Sequence, residues 1–153
     1  MLTRIARLFS TALVAVLVAA APAHAEGPTI VSITGSVSSN DPFPAIVRIQ
    51  ATVIGEDPDT LAGAGHHTVL FAGGGFAEHS KWTLTEGAVH GTSVVLSGFV
   101  TKSTAPLEGT PVQLEADGTT GALTLTVGPF TGGFPGLIVT SQGFGNVVIR
   151  DRQ

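Results

Sequence analysis

Apolar and polar residues alternate with a period of two through most of this chain, the spacing that puts one face of a strand in a core and the other in water. The clearest case is Ala45 to Gly55, where Val47, Ile49, Ala51 and Val53 alternate with Arg48, Gln50 and Thr52. Thr29 to Val37 is a second β-branched run and ends in the polar turn Ser38-Ser39-Asn40-Asp41-Pro42. His66 to Ala72 follows and is closed by Gly73-Gly74-Gly75. Trp82 to Val89 and Thr92 to Lys102 are two β-rich arms joined at His90-Gly91, which predicts a hairpin. Thr110 to Ala116 and Ala122 to Val127 make another, linked by Asp117-Gly118-Thr119-Thr120-Gly121. Leu137 to Thr140 and Asn146 to Arg150 read as two final short strands. No stretch has helical periodicity after the N-terminal segment. Short strands separated by Gly-rich turns predict an all-β fold, a single antiparallel β-sandwich or small β-barrel of about eight strands.

Parts of this pattern recur. Thr29–Ser38 and Thr92–Thr101 share T-x-V-x-[IL]-[ST]-G-x-V-[ST], and Val47–Ala51 resembles Val112–Ala116. Phe71-Ala72-Gly73-Gly74-Gly75-Phe76 resembles Phe130-Thr131-Gly132-Gly133-Phe134, in the same order along the chain. An internal duplication of about 60 residues accounts for the matches, and chance similarity among β-rich, Gly-rich segments is the competing explanation.

Residues 1–25 stand apart. Arg4 and Arg7 precede an apolar run from Leu8 to Ala21, then Pro22 and the small-x-small sequence Ala23-His24-Ala25. This is the layout of a cleaved Sec-type signal peptide, and the run is shorter than the roughly 20 residues that span a bilayer. The expectation is a single domain over 26–153 in the bacterial periplasm or secreted, and not an integral membrane protein. Loss of Arg4 and Arg7 leaves five basic residues against eleven acidic, a net charge of −6. That balance argues against nucleic acid as a partner. With no cysteine, the chain has no disulfide, thiol nucleophile or thiolate metal site.

Candidate chemistry is sparse. His66, His67, Glu78 and His79 are the candidate metal ligands, and no cofactor is expected beyond a metal ion that such residues could hold. Neighbours on a strand point to opposite faces, however, so His66 and His67 cannot both serve one site, nor can Glu78 and His79 if extended. Asp57 and Asp59, in the acidic turn Glu56-Asp57-Pro58-Asp59-Thr60, could offer oxygens to calcium, although the turn lacks the length and closing Glu of a calcium loop. Glu78-His79-Ser80 contains triad-like residue types, but adjacency in sequence is not triad geometry. Trp82 and His90 are the candidate ligand contacts. Trp82 also has the position of a core residue, sharing a strand face with Leu84 and Glu86. Without Tyr, and with a single Trp, the chain is poorly equipped for sugar stacking. The leading expectation is a non-catalytic binding or structural module whose partner is a protein or a small apolar ligand, the latter in a barrel interior or mouth lined by Phe and aliphatic side chains. The alternative is a His/Glu-based metal-binding protein or metal-dependent hydrolase.

Overall fold

The computed structural model of the protein describes residues 27–39, 44–74, 77–132 and 134–151. The expected signal segment, 1–25, lies outside the described residues. Eight strands form one closed antiparallel barrel, β1 (Thr29–Ser39), β2 (Ala45–Gly55), β3 (Ala62–Phe71), β4 (Ala77–His90), β5 (Ser93–Ser103), β6 (Pro111–Asp117), β7 (Ala122–Val127) and β8 (Val139–Asp151). Each strand pairs with its sequence neighbours and β8 returns to pair with β1, from Thr29↔Asp151 to Ser38↔Gln142. The barrel is therefore a simple up-and-down meander, and the eight strands leave no sheet edge exposed.

Alternation explains which residues turn inward. Along β2 every second residue is buried, from Ala45 to Gly55, while Arg48, Gln50 and Thr52 face out. The same rule buries Val31, Ile33 and Val37 of β1 and Val112, Leu114 and Ala116 of β6. The expected hairpin is the β4–β5 pair, closed by a two-residue loop in which Gly91 takes φ +65° between His90 and Ser93.

Three features differ from the alternation read in sequence. The segment expected as two final strands is the single strand β8, continuous through Ser141–Gly145. Gly145 faces Gly35 across the β1–β8 pairing, and a Cβ on either residue would run into the other's backbone. The remaining two differences are register shifts in β4–β5. Thr85 is an extra residue between the pairs Leu84↔Gly98 and Glu86↔Ser97, so the face shared by Trp82 and Leu84 ends there and Glu86 is exposed. Thr101 is an extra residue between Trp82↔Val100 and Lys81↔Lys102, which turns Lys102 outward and Ser103 inward.

The repeated motif falls on β1 and β5, and its second part on β2 and β6, pairs of strands lying opposite one another in the eight-membered ring. Val31, Ile33 and Val37 and their counterparts Val94, Leu96 and Val100 are all buried. Pairing departs by two residues between the halves, because Gly35 meets Ile49 whereas Gly98 meets Val112 rather than Leu114.

Candidate functional site

One end of the barrel is packed and the other is hollow. Leu61, Leu84, Leu96 and Leu114 are fully buried towards the first end, and Trp82 lies across the interior above them. Beyond Trp82, towards the ends of β1, β3, β5 and β7, the interior opens into a cavity of about 270 Å³. Its wall includes Val47, Val69, Leu125 and Val127. Ala105, Pro106 and Leu107 of the β5–β6 connection and Phe130, Phe134 and Leu137 of the β7–β8 connection close over its mouth. The β7–β8 connection is held in shape by backbone bonds from Phe130 N–H to Leu137 O (2.9 Å) and Gly136 N–H to Phe130 O (2.9 Å).

Polar groups in the cavity gather chiefly around His67 and Glu78, the only ionisable side chains among the buried described residues. His67 comes from the inward face of β3 and Glu78 from that of β4, where Glu78, Ser80 and Trp82 alternate with outward His79 and Lys81. The indole N–H of Trp82 donates to His67 Nδ1 at 2.8 Å. Trp has no acceptor, so Nδ1 carries a lone pair, the ring is neutral, and its proton sits on Nε2. From there it donates to Glu78 Oε2 at 2.9 Å. The other carboxylate oxygen, Oε1, accepts from the Ser80 hydroxyl and from the Ser103 hydroxyl at 3.0 Å. Ser103 reaches it only because the extra residue Thr101 has turned it inward.

Burial alone would raise the Glu78 carboxyl. The hydrogen bond from His67, the charge that this ring carries when protonated, and the hydrogen bonds of Ser80 and Ser103 together outweigh that cost and hold the group below its ordinary value. Glu78 is therefore an ionised carboxylate, 3% exposed, facing an apolar cavity with a neutral imidazole as its neighbour.

Other candidates lie apart from this cluster. His66 and His79 are exposed on the outer surface, and His79 Nδ1 is bonded to the Thr68 hydroxyl at 3.0 Å. Of the four candidate metal ligands only His67 and Glu78 come together, and no group of three or more possible ligands forms among the described residues. Trp82 is 1% exposed, whereas His90 is exposed at the far end of β4, eight residues away, or about 26 Å along a strand. His90 borders a shallow, open depression with Asp59, Glu86 and Val95. Asp57 Oδ1 accepts from Asp59 N–H at 2.9 Å, so this carboxylate closes its own turn.

Sequence reasoning did not single out Ser103, Ser141 or the serine contacts of Glu78. The alternation Glu78-x-Ser80-x-Trp82 was a readable signal for three of the cluster's members, whereas Ser103 depends on a bulge that leaves no mark in the residue pattern. No family model, curated protein or solved structure matches this chain.

Proposed function

We propose that the protein is a non-catalytic binding module of the bacterial periplasm or cell exterior, holding a small apolar ligand in the mouth of its barrel. The cavity carries this reading: about 270 Å³, walled by aliphatic and Phe side chains, with its polar groups concentrated around one buried cluster. Small-molecule sites have this composition, an apolar wall with a few placed polar groups, and 270 Å³ is near the lower end of their usual volumes.

Titration with a neutral apolar dye, N-phenyl-1-naphthylamine, tests the reading. Saturable one-to-one emission enhancement is expected, and Val69→Trp, which projects bulk into the cavity, is expected to abolish it. Failure of the dye to saturate, or equal binding by the filled variant, would overturn the assignment.

A further inference from the structure

We propose that the cavity selects a small amine, an apolar body carrying an ammonium group that docks on Glu78. The inference deepens the binding reading above and rests on it. Its basis is a charge left without a counter-charge. Glu78 receives hydrogen bonds from His67, Ser80 and Ser103, but every donor is neutral. No Lys or Arg is among the buried described residues. Hydrogen bonds stabilise the carboxylate without cancelling its charge, and in a cavity of low dielectric an uncancelled charge attracts a cation much more strongly than it would in water.

Geometry leaves room for that contact. A carboxylate offers about four lone-pair directions. Three are used by His67, Ser80 and Ser103, leaving one on Oε2 of a residue that lines the cavity. A second polar residue lines the cavity from the opposite side of the barrel. This is Ser141 of β8, which is 3% exposed. An anionic occupant would instead face the Glu78 charge directly, with no cation to offset the repulsion.

Calorimetry and emission from Trp82, the chain's only Trp and within 5.3 Å of the His67 ring, can follow three matched ligands, n-hexylamine, 1-hexanol and hexanoate. The amine is expected to bind about tenfold or more tighter than the alcohol, with hexanoate weakest. In Glu78→Gln the preference is expected to vanish while the alcohol still binds. Amine affinity no better than that of the alcohol, hexanoate as the tightest ligand, or a preference that survives in Glu78→Gln would each overturn the inference. Alcohol binding without amine preference would sink the inference and leave the binding module standing, whereas no binding by any of the three would sink both. If Glu78→Gln fails to fold, the three ligands on the unaltered protein still decide.

Discussion

Gly65 lies directly against the indole of Trp82, its pairing partner on β4, so that a Cβ at this position would sit 2.7 Å from Trp82 Cε3. β3 thus provides a bare backbone position where β4 provides the largest side chain. The indole fills that gap and its N–H reaches His67, the next inward residue of β3.

Gly65→Ala is expected to lose roughly 1–3 kcal/mol of stability through overpacking, read from urea or guanidinium midpoints. The loss should shrink in a Trp82→Phe background, because the two positions are in contact and their effects are not additive. Equal losses in both backgrounds would show that the indole does not set the constraint.

Trp82→Phe by itself removes the only donor to His67 Nδ1. A buried acceptor left without its partner, together with the lost ring volume, predicts a loss of about 2–4 kcal/mol. Nitrogen NMR of His67 gives the more specific check. The Nε2–H tautomer should dominate in the parent protein, and its share should fall in the variant.

Thr110 offers the opposite sign. Its residue is 0% exposed and its hydroxyl is the one buried side-chain polar atom among the described residues without a hydrogen-bond partner. Replacement by the near-isosteric Val removes that group at constant shape, so Thr110→Val should be neutral or stabilising by up to about 2 kcal/mol. A clear loss in thermal or denaturant unfolding would contradict the assignment.

Glu78 sets an acid dependence. Its folded-state value lies below the ordinary 4.5, so its contribution to stability is fully present above that range and is lost as pH falls through the depressed value. Asp117, held low chiefly by backbone N–H bonds from Thr119 and Thr120, acts in the same direction. The groups packed around Glu78 are His67 from β3, Ser80 on its own strand and Ser103 from β5. Unfolding midpoints between pH 7 and pH 3 should therefore fall more steeply for the parent than for Glu78→Gln, leaving the slope due to Asp117 in the variant. Identical slopes would mean that Glu78 keeps its proton in the folded state.

Much of the barrel was legible in the residues because alternation is a local signal. Val47, Ile49 and Ala51 declare the inner face of β2 without reference to any other strand. Closure and the site were not legible in that way. A sandwich and a barrel can bury the same alternating faces, and only the pairing of β1 with β8 tells them apart. Gly143 and Gly145 read as a break between two strands, whereas they are places where β8 passes close to the β1 backbone. His67 and Glu78 are legible as candidate residues, but nothing in the residue order links them to Trp82, the partner that fixes the histidine's proton. Facing direction on β4 past Leu84 departs from simple alternation because one added residue, Thr85, reverses it.

The same kind of reversal at Thr101 determines what kind of cavity the barrel has. Regular alternation from Val94 through Val100 would carry the ammonium of Lys102 into the interior and leave Ser103 outside. The barrel would then hold a built-in tethered amine beside Glu78, neutralised by its own chain and competing with any cationic guest. One surplus residue puts strand β5 out of phase at this point, moves that lysine to the outer surface opposite Lys81, and keeps the carboxylate's charge available to something other than the protein itself.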